Sequence, residues 1–326
     1  MTLPQWEDFW RSGRVVSCPT GAEDGYTGSV RELWERFFAA LPDGTRLLDV
    51  GTGNGALLLI ALEVARARSV RFEVHGIDLA RIDPRRAVPD GARRFEDAVF
   101  HGGVAAEALA FTDGYFQAAV GQYSLEYTRW EDTLREMRRV MAAGAPARFV
   151  LHHASSIVAD TARESLSQAR ELEEQAQAFV DLREYVAAER TDSARAARLM
   201  ERMSERMRSM HDLAAHSERS RLLADVLPAL GNLFELRTRL SPGDFAAAFD
   251  RTYGAFKAAE QRLRDLLHAA LDESAMGRLA LKARACGFRD VRMAPLSQED
   301  GILIGWQLDM STPAADAACA APDAGA

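Results

Sequence analysis

The residues best suited to chemistry are two carboxylates set around a run of glycines. Asp49 stands two residues before the alternating glycines of LLDVGTGNG, residues 47–55, and Asp78 ends the apolar segment VRFEVHGIDLA, residues 70–80. Glycine permits tight dihedrals and lets backbone approach a ligand, so a strand that ends in such a bend and feeds a helix forms a cradle. An acid at the end of the next strand can accept hydrogen bonds from both ribose hydroxyls. This much suits any nucleoside-containing cofactor, and Gly51, Gly53 and Ala56 satisfy the dinucleotide pattern G-x-G-x-x-A. Asp49 shifts the balance. A dinucleotide would bring its pyrophosphate against this carboxylate, and like charges repel. A cofactor with a cationic centre and an ammonium group is favoured instead. Asp49 has two open roles: direct contact, or orientation of the loop through backbone N–H groups. A second feature is the pair His152–His153 at the end of an apolar strand. Alternation turns one ring to each side of a sheet, and either is a candidate base near neutral pH. The competing reading is a hydrogen-bonded histidine beneath neighbouring helices.

These groups need a scaffold, and the hydrophobic pattern supplies one. Residues 4–12 read as a short helix, and SVRELWERFFAAL as an amphipathic one with Val30, Leu33, Trp34, Phe37, Phe38 and Leu41 on its stripe. RLLDV, the glycine bend, ALLLIALEVARAR and VRFEVHGIDLA make a β-α-β unit. VPDGARRFEDAV holds a helix or an irregular link. Further strands are expected in FHGGVAAEALAF, YFQAAVGQYSLEY and APARFVLHH, with a helix at WEDTLREMRRVMAAG. Residues 155–230 then lose the strand signal. Met200, Met203, Met207 and Met210 draw one stripe on one helix, which reads as packing. Ser241-Pro242 opens another helix, with Pro at the first position. SAMGRLALKARACGF is a helix closed by Gly287, and the hairpin FRDVRMAPL–GILIGWQLDM ends the fold. The expected architecture is α/β. It is a doubly wound, seven-stranded, mostly parallel sheet with an antiparallel last strand, and a large helical insertion lies between strand five and the final helix and hairpin. The expected division is an N-terminal helical cap (1–40), a nucleoside-binding core (41–154), a helical lid or dimerisation region (155–273), a completing helix and strand pair (274–310) and a disordered tail (311–326).

Composition narrows the class. The 326 residues are 48% hydrophobic and 27% charged, with a formal net charge of -8, which gives no reason to expect attraction to nucleic acid or anionic lipid. Residues 161–270 hold 17 Arg or Lys and 18 Asp or Glu, without a basic stripe. MTLPQWEDFW does not resemble a signal peptide, and no run of 18 apolar residues offers a membrane span, so a cytoplasmic protein is expected. Cys18, Cys286 and Cys319 lack metal-ligand spacing, and no metal is expected.

S-adenosylmethionine carries the sulfonium and ammonium that Asp49 favours, and the motif itself resembles that cofactor's enzymes. LLDVGTGNG is similar to motif I, hhDhGxGxG, of the class I S-adenosylmethionine-dependent methyltransferases. VHGIDLA, AEALAF (106–111), FQAAVGQYSLEY (116–127) and LREMRRVMAAG (134–144) resemble later segments of that family in order and spacing, and GFRDVRM…GILIGWQLDM resembles its last two strands. The resemblance spans roughly 41–153 and 275–310. It implies a cofactor site of Asp49, Gly51, Thr52, Gly53, Asp78 and Leu79, with Ala105 and Ala106 in the adenine loop and Gln122 after strand four. In the family an N-terminal segment folds over the methionine end, which implicates Tyr26 through a cation-π contact with the sulfonium. Positions after strand four face the acceptor there. Tyr123 is the candidate for acceptor placement, and Glu126, His152 and His153 are the remaining catalytic candidates. Three departures stand out: Ala105 where an acid is common, Gln117 where strand four often starts with Asp, and AAGAP where two glycines are usual.

Methyl transfer is an in-line displacement that mainly needs placement and exclusion of water. GQYS differs from the Asn/Asp-Pro-Pro-aromatic motif that family resemblance associates with base-amine methylation. The expected activity is therefore O- or N-methylation of a small organic acceptor, in a homodimer formed through the insertion, with neither nucleic acid nor membrane as partner. The alternatives are use of the same cofactor for another reaction, a non-catalytic partner-binding role, and a nicotinamide-dependent oxidoreductase.

Overall fold

A computed structural model describes residues 4–17, 21–22, 25–175, 177–217 and 222–315. Cys18, Cys319 and most of the expected tail lie outside the described residues. The chain forms two compact units, one of residues 1–158 and 269–326, the other of residues 159–268.

The first unit is built on the expected sheet. Its strands are β1 (Thr45–Val50), β2 (Phe72–Asp78), β3 (Ala98–Gly102), β4 (Ala118–Gln122), β5 (Pro146–Leu151), β6 (Arg289–Ser297) and β7 (Leu303–Ser311), in the order β3-β2-β1-β4-β5-β7-β6. The first five are parallel, while β7 pairs antiparallel with both β5 and β6. The central strands are apolar along nearly their whole length because helices cover both faces. Leu47, Leu48, Val120, Phe149 and Leu151 are fully buried. The strand order reverses between β1 and β4, and Asp49 pairs in register with Val120 at that point. Ligand crevices open at such a reversal, beyond the carboxyl ends of the strands.

Helices α1 (Pro4–Arg11), α2 (Gly28–Ala39) and α3 (Ala56–Ala67) come first. A two-residue antiparallel ribbon, Gly21–Ala22 with Gly25–Tyr26, precedes α2. The segment left open between helix and link forms two single-turn helices, α4 (Pro84–Ala87) and α5 (Gly91–Arg94). On α6 (Trp130–Val140) the buried face is Thr133, Leu134, Met137 and Val140. The completing helix, α12 (Glu273–Ala285), is capped by Asp272, whose carboxylate accepts from Ala275 N at 2.7 Å, and Gly287 ends it at φ +92°.

The second unit is helical. It takes most of α7 (Ile157–Arg170), then a single π turn, α8 (Ala178–Ala188), α9 (Ser193–Ala215), α10 (Leu222–Leu236) and nearly all of α11 (Pro242–Ala269). Ser241 Oγ accepts from Asp244 N at 3.2 Å, so Ser-Pro opens α11 as its composition implies. The core gathers Phe179, Leu182, Leu223, Leu227 and Phe249, and Met203 and Met207 pack against it from α9. The methionine stripe packs on these helices, and Met200, Met203 and Met207 also line a cavity with His211 and Phe234. Asp181 is 1% exposed and holds α8 to α9 through Arg202 at 2.6 Å and Arg206 at 2.8 Å. Among the described residues no helix is long and apolar enough to cross a membrane, and no cluster of three His, Cys, Asp or Glu forms a metal site.

Candidate functional site

The bend after β1 is shaped as much by neighbouring side chains as by ligand approach. Gly51 has φ +69°, and a Cβ on it would lie 2.4 Å from Ser124 Cβ. Gly53 has φ +52°, and a Cβ there would lie 2.4 Å from the Trp10 ring. A side chain at either place meets both strain and collision. Asn54, the residue between the last two glycines, donates through Nδ2 to Trp10 O at 2.8 Å and Arg14 O at 2.7 Å. The N-terminal segment is bolted to the bend by this amide.

Both acids sit against the same bend. Asp49 is 1% exposed and accepts from Thr52 Oγ1 at 2.6 Å. It therefore braces the loop through a side-chain hydroxyl, a route distinct from the two read from sequence. Burial pushes its carboxyl up to about 7, partly offset by the Thr52 bond and reinforced by the charge of Asp78. Asp78 accepts from Gly53 N at 2.9 Å and from Ala80 N at 2.8 Å. Burial raises it to about 6 against those two bonds. Each carboxylate oxygen keeps a further lone pair for a ligand hydroxyl.

A cavity opens at the carboxyl ends of β1, β2 and β4. Asp49, Gly51 and Thr52 line it from the first bend, and Asp78 and Leu79 from the second strand. Ala105 and Ala106 line it from the loop after β3, Gln122 and Tyr123 from the end of β4, and Tyr26 from the N-terminal side. Gly53 is not in the wall and acts through its N–H on Asp78. Sequence reasoning passed over several wall residues. Trp6 and Trp10 line the cavity, as do Glu107, Ser124 and Tyr127. The spacing of Trp6 and Trp10, four apart on one helix, was the available signal. The two rings stack with centroids 6.0 Å apart, and Trp6 meets Tyr127 edge-on at 6.4 Å. Glu107 supplies an acid two residues beyond Ala105. Gln117 ties the start of β4 to β1 instead, accepting from Arg46 N at 2.9 Å.

The catalytic candidates separate. Tyr123 has a left-handed backbone at φ +55°, and its hydroxyl donates to Ile304 O at 3.1 Å. Its ring stacks on His152 at 4.1 Å with 2° between planes. His152 lies just beyond β5 and is buried, which drives its ring down to about 3, so it is neutral at physiological pH. Glu126 is buried and accepts from His152 N at 2.8 Å, and burial pushes its carboxyl up to about 8. His153 stacks on Trp306 at 4.4 Å, its Nδ1 accepts from Ser155 N at 2.9 Å, and burial lowers its basicity. Glu126, His152 and His153 are not among the described residues that line the cavity.

Gln122 Oε1 accepts from Trp34 Nε1 at 2.5 Å, while Gln122 Nε2 and Ser124 Oγ are buried without a hydrogen-bond partner among the described residues. None of the described wall residues is Lys or Arg. The wall therefore combines acids, aromatic rings and spare neutral donors.

Comparison with known proteins agrees with this architecture. A family model described as a methyltransferase domain matches residues 25–206, more than half of the chain. No curated protein matches. Among solved structures, the chain is similar to a Methanosarcina mazei S-adenosylmethionine-dependent methyltransferase at 16% identity, covering 86% of this chain and 98% of that one, with a TM-score of 0.40. It is similar to the 4+2 cyclase SpnF at 16% identity over 96% and 92%, TM-score 0.41. The match to the chain solved with the Trm112 methyltransferase activator of Haloferax volcanii is 20% identical, with a TM-score of 0.33, and covers 45% of this chain and only 60% of that one. With the strand order, the glycine bend and the family model together, the chain belongs to the methyltransferase-domain family and has the class I S-adenosylmethionine-dependent methyltransferase fold.

Proposed function

We propose that the chain binds S-adenosylmethionine in this cavity and transfers its methyl group to an oxygen or nitrogen of a small, neutral organic acceptor. The observation that carries the reading is the wall: Asp49 and Asp78 at the strand ends, with neither Lys nor Arg among the described lining residues. A diphosphate would meet acids there, whereas a sulfonium and an ammonium meet complementary charge. The orphaned Gln122 and Ser124 atoms add donors of the kind an amino-acid carboxylate needs. An anionic acceptor would find no side-chain cation among the described residues of the same wall.

The bound cofactor supplies an already activated methyl group. The chain's residues do the rest. Asp78 holds the bend and offers its remaining lone pairs to ribose. Asp49 offers the negative charge. Trp6, Tyr26 and Tyr127 exclude water and present ring faces to a cation or a flat apolar acceptor. Tyr123 acts by packing, since its hydroxyl is engaged with Ile304. On this reading placement dominates over proton removal.

One observation favours a second reading. The side chains expected to serve as bases stand outside the described wall, so a reaction that uses the sulfonium without transferring the methyl suits the same site. Calorimetry with S-adenosylmethionine, S-adenosylhomocysteine and NAD tests the cofactor. Binding of the first two without NAD is expected, and the reverse overturns the proposal. Mass spectrometry of turnover mixtures separates a 14 Da gain, roughly one CH2, from a product of unchanged composition.

A further inference from the structure

We propose that Trp34 is a positioning residue that locks the Gln122 amide with its NH2 group toward the cofactor's amino-acid carboxylate. This inference rests on the cofactor reading above. The indole N–H is a donor only, so its 2.5 Å partner on Gln122 must be the carbonyl oxygen. The amide orientation is therefore set by chemistry and is not interchangeable. With Oε1 committed, Nε2 is left as the free end, and it is buried without a partner among the described residues. Gln122 is 7% exposed and forms part of the cavity wall. A buried donor left unpaired costs free energy that a ligand acceptor would recover.

Trp34 is suited to hold such a lock. It is fully buried on α2, with Phe37 edge-on at 6.2 Å and Phe38 stacked at 6.0 Å. Gln122 ends β4, next to β1 and Asp49, at the strand reversal. A zwitterionic amino-acid end placed there finds an acid for its ammonium. Its carboxylate finds no Lys or Arg among the described wall residues, so neutral donors must serve. Gln122 Nε2 and Ser124 Oγ are the two unpartnered ones. Trp34 itself is not among the wall residues, so it acts through Gln122.

The test compares two ligands that differ by the amino-acid group. S-adenosylhomocysteine carries it and 5′-methylthioadenosine lacks it. Trp34→Phe keeps the ring and removes the donor, freeing the amide to turn. Gln122→Glu keeps an acceptor for Trp34 and replaces the NH2 with a carboxylate oxygen at about pH 9.5, above the value of about 8 to which burial raises Glu126. Calorimetry on the full chain should show S-adenosylhomocysteine binding weakened about 3- to 10-fold in Trp34→Phe and about 10- to 100-fold in Gln122→Glu, the range for a hydrogen bond to a charged group. Methylthioadenosine affinity should hold within about twofold in both, since a general loss of structure would weaken the two ligands together. An unchanged ratio of the two affinities in Gln122→Glu overturns the carboxylate assignment. An unchanged ratio in Trp34→Phe alone overturns the lock. If the unaltered protein binds neither ligand, the cofactor reading falls, and this inference with it.

Discussion

Burial holds the Asp49 carboxyl at about 7 and Asp78 at about 6, so before a ligand arrives both retain protons that an unfolded chain would have released. The sign follows. Each group binds more protons folded than unfolded between its ordinary value near 4 and its raised value, so the ligand-free protein loses stability as pH rises through that window. A cationic ligand reverses the preference and expels the proton. Cofactor affinity should therefore rise about 25-fold between pH 5.5 and 7.5 and then level off, as expected for one proton released from a group at about 7. Calorimetry in buffers of different ionisation enthalpy reads the proton directly. Asp49→Asn should flatten most of the rise, since Asp78, near 6, completes its change earlier. Glu126, raised to about 8, adds to the stability loss at higher pH without facing the cavity. Some of this was legible in the residues and some was not. The glycine bend and the two acids set against it were legible. Nothing local announced that Tyr123 would take φ +55°, because a tyrosine there is selected by the Ile304 carbonyl 181 positions away.

At the scale of elements, the N-terminal helix is held by one amide and by the packing of Phe9 and Trp10 on Ala80. Asn54 Nδ2 serves two carbonyls of that segment, and Gly53 makes room for Trp10. Asn54→Ala should cost about 1–3 kcal/mol, the penalty for orphaning buried acceptors. Hydrogen exchange should accelerate in residues 4–17 while β1 to β5 keep their protection, and cofactor affinity should fall as Trp6 and Trp10 leave the wall. Equal exchange in both regions would show that the amide is not the anchor. The helices and strands themselves were readable from period and breakers. The helix α6 and the Ser-Pro start of α11 stand where their patterns put them. The docking of α1 was not readable, since periodicity describes one element's own faces and Asn54 reaches 40 residues back. The place of His152 outside the described wall was unreadable for a related reason. Alternation fixes which side a ring takes, but the stacked Tyr123 decides whether that side is wet.

The whole molecule consists of two units with separate cores, one around the sheet and one around Phe179, Leu182 and Phe249. Asp181 and Glu260 are the buried carboxylates of the second among the described residues. Asp181→Asn leaves Arg202 and Arg206 without their counter-charge and should destabilise that unit by about 2 kcal/mol, less than a fully buried pair because both guanidinia reach solvent. Urea unfolding followed by circular dichroism and by tryptophan fluorescence should separate the two effects. The five tryptophans, Trp6, Trp10, Trp34, Trp130 and Trp306, all belong to the sheet unit, so the fluorescence midpoint should stay while the helical midpoint drops. A joint shift would show one cooperative block.

The place of β7 in the sheet also bears on biosynthesis. β5 leaves the ribosome long before its neighbour, because residues 152–302 must be translated in between. At about 5–20 residues per second that delay is roughly 8–30 s. Throughout it the outer rim of Pro146–Leu151 offers unpaired backbone groups beside Phe149 and Val150. A message truncated before codon 303 would leave that rim permanently open, and such a fragment is expected in the insoluble fraction.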